Sequence, residues 1–114
     1  MCKLVSLSDD NNIAVADIKR DCILNIINSA KCCSEIDKIV LFGSALEGRC
    51  REDSDIDIAI VGNLSAGEFN TSKGYLDFRA RVFSYKFEQD YDMLYFKGEE
   101  GSIASRGVVI YSRE

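Results

Sequence analysis

Apolar residues along the chain are concentrated in short runs that polar segments separate. Three runs, at 39–42, 56–61 and 91–96, are rich in β-branched or aromatic side chains and predict buried β-strands. A brief apolar run at 107–111 predicts a further strand, and residues 3–7 predict a short edge strand. The chain is therefore expected to build a small sheet.

Two longer segments have apolar residues at the spacing of an amphipathic helix. Residues 9–12 offer Asp and Asn side chains for the N-cap of the first helix, which is predicted within residues 15–33. Its predicted core stripe consists of Ile18, Cys22, Ile23, Ile26, Ile27 and Ala30. A second helix is predicted over residues 72–87, and its stripe consists of Leu76, Arg79, Ala80, Phe83 and Phe87. Strands that alternate with helices indicate an α/β domain.

Two shorter helical features are also predicted. Glu68 follows Ser65 by three residues, which is typical of a capping box. A turn after the run at 91–96 is expected to lead into a short helix that contains Ile103 and Ala104.

The run at 56–61 opens with two carboxylates one residue apart, Asp55 and Asp57. Strand side chains alternate between faces, so both acids should project from one face while Ile56 and Ile58 project from the other. Neighbouring carboxylates repel each other unless one is protonated or a cation lies between them. A divalent metal with oxygen ligands is the simplest such cation.

Gly43 and Ser44 follow the run at 39–42 directly. A glycine lets the backbone turn sharply and approach a ligand closely. Ser44 adds a hydroxyl and a backbone donor at a predicted helix start, where anions are favoured. Together with the two carboxylates, this turn predicts a site for a nucleotide and its metal.

Asp92 is the one charge within the apolar run at 91–96. Burying an isolated carboxylate costs several kcal/mol unless it is paired or bound to metal. Asp92 could therefore be a third metal ligand or a base for an attacking hydroxyl. A salt-bridged carboxylate at a sheet edge is the alternative interpretation, and Asp90 is a competing candidate.

Composition restricts the possible functions further. A length of 114 residues favours one domain over 1–114, and a net charge of -5 argues against direct binding of nucleic acid. The chain has no histidine, so its chemistry would depend on carboxylates, metal and Lys or Arg. The N-terminus lacks the apolar core of a secretory signal and no run is long enough to span a membrane, so a cytoplasmic protein is expected.

Five cysteines are present, at positions 2, 22, 32, 33 and 50, without paired Cys-x-x-Cys spacing. An odd number of this kind favours reduced thiols in a cytosolic protein. Cys22 and Cys33 are expected to fill the core on the helix face that packs on the sheet.

The run from Leu41 to Ser44, an interval of ten residues and Asp55-Ile56-Asp57 resemble the signature of the DNA polymerase beta nucleotidyltransferase superfamily. The chain is similar to its minimal, stand-alone nucleotidyltransferases, of the MntA-like antitoxin type. The resemblance covers most of residues 37–111 and is weakest over 63–88. It implies a polymerase beta-like fold with a small mixed β-sheet and flanking helices. It also implies a third acid on the neighbouring strand, and Asp92 followed by two apolar residues matches that context.

The resemblance implies transfer of a nucleoside monophosphate, AMP from ATP, to a hydroxyl acceptor with two Mg2+ ions. The catalytic and metal-binding residues that it implies are Asp55, Asp57 and Asp92. The nucleotide-binding residues that it implies are Gly43, Ser44 and Arg51. The family usually has a basic residue directly before its second glycine, where this chain has Glu47. Arg49 or Arg51 could supply that phosphate contact, and the alternative is that both are solvated loop charges.

Stand-alone members of the family are commonly encoded beside a small helical HEPN-type protein. They act as the antitoxin of a toxin–antitoxin pair and in some cases AMPylate the toxin. The resemblance therefore ranks protein nucleotidylation, in an oligomer with such a partner, above transfer to an antibiotic or to RNA. The alternative from another class is a degenerate binding module that neutralises its partner by contact alone. Glu47 favours that module slightly, whereas the three acids favour the enzyme.

Overall fold

Strands and helices alternate along most of the chain. The computed structural model describes residues 3–48, 50–98 and 107–113. The elements in this part of the chain are β1 (Leu4–Ser8), β2 (Asn11–Ala16), α1 (Arg20–Ala30), β3 (Lys38–Phe42), β4 (Ile56–Gly62), α2 (Ala66–Thr71), α3 (Lys73–Tyr85), β5 (Tyr91–Lys97) and β6 (Val108–Ser112). None of these helices is long and apolar enough to cross a membrane. The predicted helical turn with Ile103 and Ala104 lies outside the described residues.

Four strands form a mixed sheet in the order β5-β4-β3-β6. β3 lies antiparallel to both β4 and β6, whereas β4 and β5 are parallel. Parallel neighbours need a crossover connection, and α2 with α3 supplies it between β4 and β5. The predicted small mixed sheet with flanking helices is therefore confirmed.

One face of this sheet forms the core of the protein. Ile39 and Leu41 of β3 and the isoleucines of β4 lie there in one buried cluster with side chains of α1 and α3. Ile58 and Ile60 are at most 1% exposed. Because side chains alternate along a strand, the residues between them project from the opposite face. The face that carries Asp57 and Asp92 is called the acid face below.

The prediction that a helix begins near residue 15 was wrong. Residues 4–16 form a β-hairpin, in which Val5 pairs with Val15, and the backbone N–H of Asp17 donates to the carbonyl of Lys3 at 2.8 Å. Asp9 and Asp10 therefore belong to the hairpin turn and cap no helix. The alternation of buried and exposed positions from Asn12 to Val15 has the period of a strand, which explains the outcome.

The core stripe of α1 is close to the prediction. Cys22, Ile23, Ile26 and Ala30 are buried as predicted, whereas Ile18 is only half-buried in the single turn of 3-10 helix that precedes α1. The stripe begins instead with Lys19, whose exposed fraction is 1%. A lysine therefore occupies a core position at the start of this helix.

The bounds of α3 agree with the prediction to within two residues, but the predicted face is wrong. Phe78 and Val82 are buried, whereas Leu76 is 52% exposed and Phe87, beyond the end of the helix, is 92% exposed. The hydroxyl of Ser72 accepts from the N–H of Tyr75 and fixes the start of α3 directly after α2. With the helix started at this point, Phe78 and Val82, four residues apart on one face, are turned toward the core.

The capping box at the start of α2 is confirmed. The hydroxyl of Ser65 accepts from the N–H of Glu68 at 3.2 Å, and the Glu68 carboxylate accepts from the N–H of Ser65. Cys22 and Cys33 are free and buried, as predicted. Burial raises the pKa of the Cys33 thiol to about 11, so this cysteine stays protonated and chemically inert at neutral pH.

Candidate active site

The register of the two parallel strands places Asp57 and Asp92 side by side. Asp57 of β4 is the direct partner of Asp92 of β5, and the N–H of Ile56 donates to the carbonyl of Asp90 at 3.1 Å to begin the ladder. Partners in register lie on the same face of a sheet. Both carboxylates therefore project from the acid face, at the end of the sheet where β4 and β5 begin.

Gly43 forms the third side of this site. It follows Phe42, which is the partner of Asp57 on the antiparallel strand, and its φ of 87° lies in the left-handed region. A Cβ atom at Gly43 would lie 2.3 Å from Oδ2 of Asp57, closer than non-bonded atoms can approach. Glycine is required here both by the backbone conformation and by the contact with the carboxylate.

Asp55 precedes β4 by one residue and is exposed. Three effects raise the pKa of Asp57: burial is the largest, followed by the negative charges of Asp92 and then Asp55. The charges of Asp92 and Asp55 are therefore close enough to oppose the ionisation of Asp57. The three carboxylates are called the acid site below.

Carboxylate oxygens are the ligands that Mg2+ prefers, so the donor set of the acid site suits a hard divalent cation. Within the described residues, no group of three Asp, Glu or Cys side chains is already gathered at metal-binding distances. A cation held by all three acids would therefore require the oxygens of Asp55, Asp57 and Asp92 to move closer together.

The remaining residues singled out from the sequence lie in the two connections beside the acid site. Ser44 is half-buried within the 3-10 turn Gly43–Leu46, and its carbonyl accepts from the N–H of Glu47 at 3.0 Å. Arg51 has an exposed side chain, and its N–H donates to the hydroxyl of Ser54 at 2.9 Å in the turn that leads to Asp55. Arg49 lies outside the described residues. Phosphate contacts by Ser44 and Arg51 stay predictions.

Two residues beside the acid site were not singled out from the sequence. Lys19 and Gln89 are both buried and hydrogen-bonded to each other at 2.7 Å. The signal for Lys19 was available, because it lies three residues before Cys22 and four before Ile23 and so falls on the apolar stripe of α1. Gln89 lies in a polar connection and has no comparable signal in the sequence.

The sequence matches the family described as polymerase beta, nucleotidyltransferase, over residues 24–114. The chain belongs to this family. As a member of the polymerase beta nucleotidyltransferase family, it carries Gly43 and the three acids within the matched residues.

Among solved structures, the chain resembles a protein from Sulfolobus solfataricus whose assignment as a nucleotidyltransferase is provisional. The two share 18% sequence identity with a TM-score of 0.47, over 86% of this chain and 90% of that one. A search of curated proteins returned no significant match.

Proposed function

We propose that this member of the polymerase beta nucleotidyltransferase family transfers a nucleoside monophosphate, AMP from ATP, to a hydroxyl group, with Mg2+ as the cofactor. The observation that carries the proposal is the pairing of Asp57 with Asp92 on parallel strands beside Gly43. Family membership supplies the reaction class, and this pairing supplies a set of oxygen ligands in the appropriate place.

Each residue has a definite role in this proposal. Asp55 and Asp57 hold the divalent cations, two in number, and Asp92 completes the ligand set. When bound, the cations would neutralise charge on the triphosphate and on the departing pyrophosphate. Gly43 and Ser44 cradle the β- and γ-phosphates, because the glycine leaves the backbone open to close approach.

The reaction requires one bond to form and one to break. The acceptor oxygen attacks the α-phosphorus, the bond from that phosphorus to the bridging oxygen breaks, and pyrophosphate leaves. The proton of the acceptor hydroxyl passes to the carboxylate of Asp92. Because burial and two neighbouring charges raise the pKa of Asp57, protons compete with the cation there, and metal binding should weaken as the pH falls.

The acceptor is proposed to be a partner protein, namely a small helical protein of the HEPN type that this chain inhibits. The resemblance to stand-alone antitoxins is the origin of this choice. Exposed apolar side chains on the acid face support it: Leu94 is 46% exposed and Val109 is 36% exposed. Both lie in the row of the sheet next to Asp57 and Asp92, because Val109 pairs with Val40, Val40 with Ala59, and Ala59 with Leu94. Val40 and Ala59, between them, are buried, so a partner would contact this row at its two exposed ends, beside the acids.

The experiment uses ATP labelled at the α-phosphate and the product of the neighbouring open reading frame as acceptor. We expect Mg2+-dependent label on that protein and a gain of one adenylyl group in its mass. Asp57→Asn should lower the rate at least about 100-fold, the scale on which loss of one charge-stabilising group acts. Asp77→Asn, on the exposed side of α3, is the matched control and should leave the rate unchanged.

Two outcomes would overturn parts of this proposal. Transfer that proceeds unchanged with Asp57→Asn would reject the acid site. A wild-type chain that inhibits its partner but is not stabilised against heat by ATP with Mg2+ would instead be a binding module, as Glu47 in place of a basic residue suggests.

A further inference from the structure

Lys19 is a fully buried lysine whose ammonium is completely engaged in hydrogen bonds. Its Nζ donates to the carbonyl of Ser54 at 2.7 Å, to the carbonyl of Glu52 at 3.0 Å and to Oε1 of Gln89 at 2.7 Å. An ammonium has three protons, so these acceptors use its full donor capacity. Burial lowers the pKa of Lys19, so these hydrogen bonds are what offsets the loss of water around its ammonium.

Gln89 extends this arrangement to the second acid-bearing strand. Its Nε2 donates to the carbonyl of Ser54 at 2.9 Å and to the carbonyl of Asp90 at 2.7 Å. The Asp90 carbonyl also accepts from the N–H of Ile56, the bond that begins the pairing of β4 with β5. Lys19, Gln89 and the carbonyls of Glu52, Ser54 and Asp90 are called the Lys19 clamp below.

The clamp forms hydrogen bonds to the backbone just before the acidic residues of both strands. Ser54 directly precedes Asp55 and lies three residues before Asp57, and Asp90 lies two residues before Asp92. The clamp makes no charge pair with these acids among the described residues: all its contacts at this site are to carbonyl and amide oxygens. Its effect on the acids is therefore one of backbone position.

We propose that Lys19 is a positioning residue: through Gln89 it fixes the start of β4 against the start of β5, and thereby holds Asp55 and Asp57 beside Asp92. The inference rests on the proposed function for its catalytic consequence. Two-metal chemistry needs ligand oxygens held within narrow limits, so a small slip between these strand ends should weaken cation binding more than nucleotide binding.

A lysine that only stabilises the fold would give a different result from a lysine that positions the acids. Amide hydrogen exchange distinguishes these two roles without metal. Lys19→Met removes the ammonium, and Gln89→Glu keeps an acceptor for Lys19 but loses the two donations to Ser54 and Asp90. The matched control is Val82→Ala, which weakens the core packing of α3 at a residue that is not part of the clamp. For each, exchange of the Ile56 amide is compared with that of Ile60, in the middle of β4.

We expect both clamp variants to lower the protection of Ile56 about tenfold more than that of Ile60, because the ladder opens locally at its start. Val82→Ala should lower both protections equally. In the transfer assay, the clamp variants should need about tenfold more Mg2+ for half-saturation, as for residues that orient metal ligands, while the KM for ATP changes little.

Equal loss of protection at both amides, with an unchanged Mg2+ requirement, would overturn the inference and leave Lys19 a stabilising residue only. If Lys19→Met does not fold, Gln89→Glu alone decides between these outcomes. A wild-type chain without metal-dependent transfer would reject the proposed function, while the exchange comparison would still test the clamp.

Discussion

Two charged clusters lie at the same end of the sheet and differ in how their charge is satisfied. The ammonium of Lys19 has a partner for each of its protons, all supplied by the protein. Among the described residues, no hydrogen bond or ion pair reaches the carboxylate of Asp57, and its nearest charges are two further acids that raise its pKa. Within the part of the chain that the structure describes, the cluster around Lys19 is complete and the acid site is not.

This difference shows that burial of a charge is not by itself a sign of function. Native structures usually complete their buried polar groups, as the Lys19 clamp does. Like charges that the fold holds close together oppose folding. Such groups are typical of sites that bind a ligand of opposite charge. The comparison predicts that substitutions in the two clusters will change stability in opposite directions.

The largest effect on stability is expected for Lys19→Met. The substitution takes the donor from the carbonyl of Glu52 and from Oε1 of Gln89, whereas the carbonyl of Ser54 keeps its bond from Gln89. A buried acceptor such as Oε1 of Gln89 is costly without its donor, so the free energy of unfolding should fall by about 2–4 kcal/mol. Urea denaturation followed by circular dichroism measures this.

The same substitution at an exposed lysine is the control. Lys73 forms an exposed ion pair with Asp77 at 3.0 Å, and Lys73→Met should cost no more than about 0.5 kcal/mol. Equal losses for both variants would mean that the Lys19 clamp adds nothing beyond an ordinary surface charge.

Gly43→Ala should have the next largest effect. The alanine would occupy a left-handed conformation and place its Cβ against Oδ2 of Asp57. Gly98→Ala separates these two causes, because Gly98 also has a positive φ, of 67°, and no atom of the described residues lies within 4 Å of the position of a Cβ there. We expect about 1 kcal/mol of lost stability for Gly98→Ala and about 2–3 kcal/mol for Gly43→Ala.

Transfer activity sharpens this test. Gly43→Ala should lose most of its activity because the methyl group displaces the Asp57 carboxylate, whereas Gly98→Ala should remain active. Equal stability losses and equal activity in the two variants would show that the contact between Gly43 and Asp57 is unimportant.

The sequence predicted the acid site better than it predicted the Lys19 clamp. Asp55, Asp57 and Asp92 could be found because each is a charge at the start of, or within, an apolar strand, and strand alternation fixes the face of a side chain. Their position across the sheet was predictable only through the resemblance to a family, since local pattern does not determine which strands pair.

The wrong predictions and the missed residue each have a physical cause of their own. The hairpin of residues 4–16 was predicted as the lead-in to a helix, because Asp9 and Asp10 can cap a helix as readily as they form a turn. The exposed face of α3 was predicted as its core face, since its polar and apolar residues alternate with little contrast. Gln89 has no local signal because its role depends on contacts 35 and 70 residues away along the chain.

Asp57→Asn should slightly increase stability at neutral pH while it removes most of the transfer activity. The folded state raises the pKa of Asp57 above the value of about 3.9 expected for an unfolded chain. The stability that the protonated Asp57 contributes is therefore fully present below its unfolded-state pKa. It is lost as the pH rises through the raised pKa of the folded state. The asparagine does not titrate, so the variant should become the more stable protein as the pH rises between these two pKa values. The difference in free energy of unfolding should reach about 0.5 kcal/mol at pH 7. Thermal melts of both proteins between about pH 3 and pH 7 measure it. A variant that is less stable than the wild type at pH 7 would contradict the electrostatic account.

The smallest effect, and the most direct test of the acid site, is the response of Asp57 to Asp92→Asn. Removal of the neighbouring charge should lower the pKa of Asp57, measured by NMR titration of its carboxyl carbon. The pKa should stay above its ordinary value, because burial is the largest cause of the shift and Asp55 is still present. Asp77→Asn, on the exposed side of α3, should leave it unchanged. If the pKa of Asp57 is the same in Asp92→Asn as in the wild type, the two carboxylates do not share an electrostatic site. A cation could then gain nothing from binding between them.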